Sequence, residues 1–361
     1  METSKATGRI VGRAAGIAPP NRFERVRTED DFEQLDAADD LPDVRRLPTV
    51  YLPDNSQTLI SENDSPDVPF RYSVNPYRGC EHGCVYCYAR PGHEFLGMNA
   101  GLDFETRILV KYDAPALLRA ELNRDGWQGE LISISGVTDC YQPAEREFRL
   151  TRGCLEVMLE ARQPVGIVTK NALVTRDLDV LARLAAESLV HVFVSVTTLD
   201  AELARTMEPR TATPQARLRA IRELASAGVP VGAMVAPIIP GLNDREIPAI
   251  LEAAQRAGAR AAGYLLVRLP LAVRPIFEEW LTRNYPDKAE RVFALIRGTR
   301  DGRMNNSQWG KRMSGSGPYA EQIGRTFQVF KKKLGIDGRL PKLDSSKFTP
   351  PQLARGQMRL F

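Results

Sequence analysis

Three cysteines lie within eight residues of one another, in the segment Arg78-Gly-Cys80-Glu-His-Gly-Cys84-Val-Tyr-Cys87-Tyr88. Their spacing is Cys-x3-Cys-x2-Cys, and no fourth cysteine follows at a ligand spacing. Thiolates are soft ligands that suit iron–sulfur clusters and zinc. A structural zinc site is normally closed by a fourth protein ligand, whereas a four-iron cluster on three thiolates keeps one iron open. The missing ligand therefore favours a catalytic cluster with a vacant coordination position.

A zinc knuckle is the alternative for the same three thiols. It would take His82 or His93 as its fourth ligand, and the chain would then be a non-catalytic scaffold tethered to DNA. In a cluster protein, His82 would instead tune the cluster by hydrogen bonding. His191 opens an apolar strand and is predicted to be structural.

The cysteine motif resembles the Cys-x3-Cys-x-aromatic-Cys signature of the radical SAM superfamily, with Tyr86 as the aromatic residue. The resemblance implies two cofactors, a [4Fe-4S] cluster and S-adenosyl-L-methionine (SAM), whose amino and carboxylate groups chelate the open iron. It further implies that the reduced cluster cleaves SAM to methionine and a 5′-deoxyadenosyl radical, after an electron donor such as flavodoxin or ferredoxin has reduced it. The protein must then bind and aim the cofactor.

The composition is that of a globular protein in a reducing compartment. The 361 residues are 43% hydrophobic and 26% charged, which is typical of soluble domains. No apolar run is long enough to span a bilayer, and the first residues lack the apolar core of a signal peptide. Five cysteines, three of them close together, argue against a disulfide framework. We therefore expect a cytoplasmic protein with no membrane contact.

Charge is distributed unevenly along the chain. Residues 1–68 carry 8 Lys/Arg and 14 Asp/Glu, residues 69–296 carry 27 of each, and residues 297–361 carry 14 and 4. The last segment therefore has a net charge of +10. Basic side chains placed on phosphates release counterions, so this segment favours DNA as a partner over a merely solvated surface.

Apolar strands alternate with amphipathic helices in the middle of the chain. This alternation predicts an α/β fold with a parallel sheet. Five or six such units are too few for a closed eight-stranded barrel, and the resemblance implies the partial (β/α)6 TIM barrel of radical SAM proteins. We predict an acidic, partly ordered leader over residues 1–68, this barrel over 69–300, and a basic helix with an extended tail over 301–361.

Residues that follow the strands are the candidates for SAM binding, because chemistry in parallel α/β folds gathers at the strand carboxyl ends. The resemblance places the methionine amino group at the first strand of the series, although the usual Gly-Gly-Glu form is absent. A lysine after the next strand would pair with the SAM carboxylate. Hydroxyl and guanidinium groups further along the chain would hold the rest of the SAM molecule. The predicted cofactor-binding residues are Tyr86, Ser135, Gly136, Thr138, Lys170, Ser195 and Arg210.

Over roughly residues 70–300 the chain resembles the spore photoproduct lyase-like branch of this superfamily, also called DNA repair photolyase-like. The resemblance implies a DNA lesion or modified base as substrate; RNA, a protein or a small molecule are the alternatives. It also implies that a strand-end cysteine, here Cys140, returns a hydrogen atom, with Tyr88 in the relay. The alternative for Cys140 is a small buried apolar residue. Cys154 lies on a helix and is predicted to be core.

The last residues form a short linear motif in which Gln357, Leu360 and Phe361 stand at an extended terminus. This pattern resembles the peptide by which bacterial repair and replication proteins bind the sliding clamp. Leu360 and Phe361 would fill an apolar pocket, and Gln357 would fix the register. The alternative is a tail that folds back onto the barrel.

Overall fold

A computed structural model of the chain describes residues 9–10, 12–24, 44–45 and 47–351. The strands of this part of the chain form three sheets. They are, in order, β1 (Arg9–Ile10), β2 (Val44–Arg45), β3 (Val50–Pro53), β4 (Ile60–Glu62), β5 (Tyr72–Val74), β6 (Tyr77–Arg78), β7 (Arg107–Val110), β8 (Ile132–Ile134), β9 (Val165–Thr169), β10 (Val190–Ser195), β11 (Val231–Ile238) and β12 (Ala261–Leu266).

The main sheet contains six parallel strands in chain order. Strand β5 pairs with β8, and β9, β10, β11 and β12 follow side by side. Strand β4 adds an antiparallel edge beside β5. Between the described residues of β12 and β4 there is no ladder, so the sheet is open. These six strands confirm the predicted α/β fold of the partial-barrel type.

Helices connect the parallel strands and cover the sheet. In chain order the helices of the described residues are α1 (Leu102–Thr106), α2 (Ala114–Leu122), α3 (Glu145–Phe148), α4 (Leu150–Glu160), α5 (Leu178–Ala186), α6 (Ala201–Met207), α7 (Pro214–Ser226), α8 (Ile247–Arg256), α9 (Val273–Asn284), α10 (Pro286–Gly298) and α11 (Gly317–Lys333). Helices α4, α5, α7 and α8 lie in the four connections from β8 to β12.

Local sequence explains why these helices form and which face they bury. Helix α8 buries Ile247, Ile250, Leu251 and Ala254, the spacing of one apolar helical face. Helix α7 begins after Thr213, whose hydroxyl accepts a hydrogen bond from the N–H of Ala216. The buried helical faces and the strands form the main hydrophobic core, which holds the strand ends in fixed positions.

Four strands, β1 to β4, lie where only a partly ordered leader is predicted, and β1 pairs with β2. Strand β3 pairs with β7 in a small sheet that also contains β6, and β4 extends the main sheet. Both are short, and their side chains are exposed or only partly buried, so they lack the apolar alternation that marks a strand. The boundary predicted at residue 68 remains a prediction.

Candidate active site

The three motif cysteines, Cys80, Cys84 and Cys87, lie in the loop that follows β6. Cys80 and Cys84 are 6% and 7% exposed, and Cys87 is partly buried. Gly79 and Gly83 allow this tight path, because they adopt φ angles of 81° and 65°, which residues with a Cβ rarely adopt. The loop therefore folds its thiols inward.

The three thiols are close enough to influence one another's protonation. Burial raises the pKa of Cys80 well above its usual value, and negative charge on Asp139, Cys87 and Cys84 would raise it further. Burial also raises the pKa of Cys84 to about 12, and the Lys170 ammonium opposes that rise. The thiols stay protonated in the metal-free chain, and a bound metal centre would convert them to thiolates.

The donor set fits a cluster better than one zinc ion. Among the described residues, no group of three or more His, Cys, Asp or Glu side chains is placed to hold a metal ion. Zinc would need its ligands at about 2.0–2.3 Å from one point, whereas a four-iron cluster receives each thiolate on a different iron. His82 also engages both ring nitrogens, with Asn171 at 3.1 Å and Asp139 at 3.4 Å. Its ring nitrogens are therefore occupied, whereas the Nε2 of His93, the other candidate for a fourth zinc ligand, has no hydrogen-bond partner among the described residues.

Arg90 supports the cysteine loop from inside and was not predicted from the sequence. Its side chain is fully buried and forms an ion pair of 2.5 Å with Glu105. The same guanidinium donates to the carbonyls of Gly83 and Cys84 at 3.0 and 2.9 Å. Cys84 is one of the cluster cysteines and Gly83 directly precedes it, so these hydrogen bonds fix the backbone of the cysteine loop. The sequence signal for this supporting role is the position of Arg90, three residues after Cys87.

Tyr86 is anchored by a buried charge pair. Its hydroxyl donates to Glu208, which forms an ion pair with Arg217. The second contact to this carboxylate comes from the Thr197 hydroxyl at 3.2 Å. Burial raises the pKa of Tyr86 well above its usual value, and Cys84 and Glu208 add to that rise. The aromatic residue of the motif is therefore a neutral donor held against the barrel.

Lys170 lies next to the cysteine loop, and its role as the ligand of the SAM carboxylate remains a prediction. Its ammonium lies 5.8 Å from the centroid of the Tyr86 ring, and its charge acts on the thiols of both Cys84 and Cys87. Ser195 is buried at the end of β10, and its carbonyl accepts a hydrogen bond from Arg217 at 3.2 Å.

Asp139 organises the segment that follows β8. Burial alone would raise its pKa, but His82 and hydrogen bonds from Lys170 N–H and the Thr169 hydroxyl lower the pKa of Asp139 to about 2. Those two hydrogen bonds are 2.7 and 2.8 Å long. The carboxylate therefore ties the end of β9 to the cysteine loop, and it was not predicted as a site residue.

The three SAM-binding residues predicted after β8 differ in the contacts that they make within the protein. The Thr138 hydroxyl donates to the Tyr77 carbonyl at 2.7 Å, so it is occupied by the protein. Ser135 adopts a φ of 74° and accepts a hydrogen bond from the N–H of Cys140 at 2.9 Å. A Cβ on Gly136 would come within 2.8 Å of Ser73, so only glycine fits there.

Arg210 also has a partner within the protein. Its guanidinium forms an ion pair of 2.9 Å with Glu81, which lies inside the cysteine loop. Glu81 further accepts hydrogen bonds from the hydroxyls of Thr49 and Tyr51 at 2.7 and 3.1 Å. Arg210 therefore orients the cysteine loop through this ion pair. Its predicted contact with SAM would require the guanidinium to bind Glu81 and SAM at the same time.

Cys140 and Tyr88 each donate a hydrogen bond to the Ser135–Gly136 turn. Cys140 is 1% exposed and belongs to the main core, and burial raises its thiol pKa well above the usual value. Tyr88 is 49% exposed, and its hydroxyl donates to the Gly136 carbonyl at 2.7 Å. The thiol thus keeps its hydrogen, and Tyr88 faces solvent beside Cys87. The donor role of Cys140 remains a prediction.

Comparison with known proteins assigns the class. The sequence model of the radical SAM superfamily matches residues 74–254. An uncharacterized protein of Mycobacterium tuberculosis is 40% identical over 232 residues, which cover 64% of this chain and 68% of that protein. An uncharacterized protein of Methanocaldococcus jannaschii is 29% identical over 222 residues, covering 62% of this chain and 79% of the relative.

The fold is similar to that of spore photoproduct lyase. The structure of that enzyme complexed with dinucleoside spore photoproduct has a TM-score of 0.57, with 18% identity and coverage of 80% of this chain and 79% of the other. The chain belongs to the radical SAM superfamily. It is a radical SAM enzyme, and the cofactors of its class are a [4Fe-4S] cluster and SAM. No helix of the described residues is long and apolar enough to cross a membrane.

Proposed function

We propose that this radical SAM enzyme acts on a base lesion or modified base in DNA. The observation that carries the proposal is the fold shared with spore photoproduct lyase, which was captured with a dinucleoside lesion. The net charge of +10 over residues 297–361 supports a polyanionic substrate. RNA, a protein or a small molecule would be the substrate if DNA fails the experiment below.

Cys80, Cys84 and Cys87 are proposed to hold the cluster through their thiolates. When bound, the cluster supplies the electron that cleaves SAM to methionine and a 5′-deoxyadenosyl radical. Lys170 holds the SAM carboxylate, because it directly follows β9 and its ammonium lies 5.8 Å from the Tyr86 ring of the cysteine loop. Buried Arg90 holds the loop carbonyls and so fixes the backbone that carries the thiols.

Further contacts with SAM are proposed for the other strand-end residues. The Tyr86 backbone supports the adenine, while its side chain is fixed by Glu208. Ser135, Gly136 and Ser195 line the strand ends, and Arg210 offers a charge that it shares with Glu81. Thr138 is proposed to act indirectly, since its hydroxyl is bonded to the Tyr77 carbonyl.

Cys140 is proposed as the hydrogen-atom donor that quenches the product radical, with Tyr88 in the relay. The raised thiol pKa keeps the S–H bond intact near neutral pH. Because Cys140 is 1% exposed, a substrate radical at the barrel mouth would reach it through an intermediate group. Tyr88 is exposed and hydrogen-bonded to the same turn that holds Cys140.

Isotope transfer from DNA tests the substrate class. Reduced, reconstituted protein is incubated with SAM and oligonucleotides whose bases are deuterated, both irradiated and unirradiated. Deuterium in 5′-deoxyadenosine or in SAM is expected, and the product that carries it shows whether SAM is consumed or recycled. The DNA assignment would be wrong if no oligonucleotide transferred deuterium while the same preparation cleaved SAM.

Two partners and one compartment are proposed on sequence grounds. Flavodoxin or ferredoxin is the proposed electron donor, and the cytoplasm is the proposed compartment. The clamp motif at Gln357, Leu360 and Phe361 lies outside the described residues. Deletion of residues 357–361 is expected to abolish binding to a bacterial sliding clamp and to leave SAM cleavage unchanged. A full-length chain without clamp affinity would contradict this proposal.

A further inference from the structure

A solvent-exposed tryptophan stands in a basic segment after α10. We refer to residues 303–316 as the basic loop; they contain Arg303, Lys311 and Arg312 and no Asp or Glu. Trp309 is 57% exposed, whereas Trp280 is fully buried and Trp127 packs against Tyr72 with ring centroids 4.8 Å apart. Tryptophan is enriched at interaction surfaces, where its large ring contacts a partner.

The basic loop is fixed at the carboxyl end of the last parallel strand. Its Met313 carbonyl accepts a hydrogen bond of 2.9 Å from the N–H of Leu266, the final residue of β12. The Asn305 side chain accepts from the N–H of Leu269 at 3.3 Å, and the N–H of Gly310 donates to Asp67 at 2.8 Å. Trp309 is therefore held on an ordered rim, at the sheet edge where chemistry gathers.

A second observation connects this rim to the cysteine loop. The Arg268 guanidinium lies 5.9 Å from the centroid of the Tyr88 ring, and Tyr88 follows the last cluster cysteine. Arg312 is close enough to lower the pKa of Arg268, although burial is the larger cause. The Nε of Arg268 is buried and has no hydrogen-bond partner among the described residues. The Asp67 carboxylate offsets part of this charge, and the unbonded Nε leaves the Arg268 guanidinium able to bind an anion from outside the protein.

An exposed aromatic ring with cationic side chains nearby is an arrangement that binds a nucleic-acid strand. Bases stack on exposed aromatic rings, and nearby Lys and Arg take the phosphates. We propose that the basic loop grips a nucleic-acid strand, with Trp309 stacked on an unpaired base, Arg303 and Lys311 on adjacent phosphates, and Arg268 on the phosphate nearest the cluster. This inference rests on the proposed function and names the contact that presents the base.

Binding of a fluorescein-labelled single-stranded oligodeoxynucleotide tests the proposal without turnover. Trp309→Ala is expected to weaken binding about tenfold, which corresponds to about 1.4 kcal/mol. Trp309→Phe is expected to keep most of the affinity, because the ring remains. Phe95→Ala serves as the control, since Phe95 is 74% exposed on a different segment. Unlabelled oligonucleotide is expected to quench the Trp309 fluorescence of the wild type. This quenching should be absent from Trp309→Phe.

Heparin and salt separate stacking from charge. Heparin is a polyanion without bases, so Trp309→Ala should leave its binding unchanged. The double variant Arg303→Gln/Lys311→Gln should weaken the binding of both polyanions. For the oligonucleotide, it should also reduce the magnitude of the slope of log K against log[salt] by about 1.4, or about 0.7 for each phosphate contact on a single strand.

Three results would overturn the inference, and they differ in what they imply. If the wild type binds DNA and Trp309→Ala binds it equally well, the basic loop proposal is wrong and the DNA function stands. If the wild type binds no DNA under conditions in which it cleaves SAM, the proposed function fails and this inference fails with it. Equal losses of heparin and DNA binding in Trp309→Ala would also reject base stacking.

Discussion

Asp67 and Arg312 form an ion pair that joins the two ends of the main sheet. Asp67 lies between β4 and β5, at the first edge, and its other oxygen accepts the N–H of Gly310 at 2.8 Å. Arg312 precedes Met313, which is hydrogen-bonded to Leu266 at the end of β12. Side chains thus bridge a gap that no strand ladder closes among the described residues.

Removing this bridge should loosen the basic loop. In Asp67→Asn the side chain keeps its size but loses the charge that holds Arg312, so trypsin is expected to cut after Lys311 or Arg312 several-fold faster. Limited proteolysis followed by mass spectrometry measures this. Glu62→Gln is the matched control, because it breaks an exposed pair with Arg71 in the same hairpin. Equal cleavage rates in the two variants would argue against the bridge.

Replacement of a single cluster cysteine should eliminate the metal centre. Cys80→Ala is expected to lose the brown chromophore and all 5′-deoxyadenosine formation, because two thiolates cannot retain the cluster. Cys154→Ala provides the control, since Cys154 is buried in the core on α4. Iron and sulfide analysis after anaerobic reconstitution should find about four of each in the control. Unchanged SAM cleavage in Cys80→Ala would rule the proposed ligand set out.

Loss of the Lys170 ammonium should weaken SAM binding and spare the cluster. Lys170→Met keeps the aliphatic stem and removes the charge, and SAM affinity is expected to fall about 10- to 100-fold, the value of a charge-assisted hydrogen bond. Isothermal titration of the reconstituted protein measures the affinity, and iron content shows whether the cluster survives. A variant with full iron content and wild-type affinity would exclude Lys170 as the carboxylate ligand.

Much of the fold and the cysteine site follows from local patterns. The apolar spacing of Leu178, Leu181 and Leu184 predicts a helix, and α5 spans Leu178–Ala186. Five of the six parallel strands, β8 to β12, are runs of apolar residues between helices, a pattern that short-range periodicity detects. Cys80, Cys84 and Cys87 are neighbours in sequence, so one short loop brings them together.

The remaining contacts join residues far apart in sequence and have no periodicity. Arg312 meets Asp67 across 245 positions, and Tyr86 meets Glu208 across 122. Local sequence also does not show which polar groups at strand ends the protein itself satisfies. Thr138 and Arg210 were predicted to contact SAM, yet they bond to the Tyr77 carbonyl and to Glu81.

The buried pair of Glu208 and Arg217 should contribute strongly to stability. Arg217→Met removes the cation and leaves a buried carboxylate unpaired, which is expected to cost about 3–5 kcal/mol of unfolding free energy. Tyr86→Phe removes one hydrogen bond to the same carboxylate and should cost about 1 kcal/mol. Urea denaturation of both variants measures the difference. If Arg217→Met were as stable as Tyr86→Phe, the pair would not be the main support of this region.

His93 should make the metal-free chain less stable in acid. Burial lowers the pKa of His93 to about 4 from its ordinary 6.5, and its Nε2 has no hydrogen-bond partner among the described residues. Between these values the unfolded chain binds a proton that the folded chain does not. The unfolding free energy therefore falls as pH drops from 6.5 to 4, by at most about 1.4 kcal/mol per pH unit.

The His93→Gln variant isolates this contribution, because glutamine does not titrate in that range. Urea denaturation at several pH values between 4 and 8 gives the unfolding free energies of both proteins. The wild type should lose about 3 kcal/mol more than the variant between pH 6.5 and pH 4, and the curves should run parallel above pH 7. Parallel curves at every pH would mean that His93 titrates normally and is not held neutral by burial.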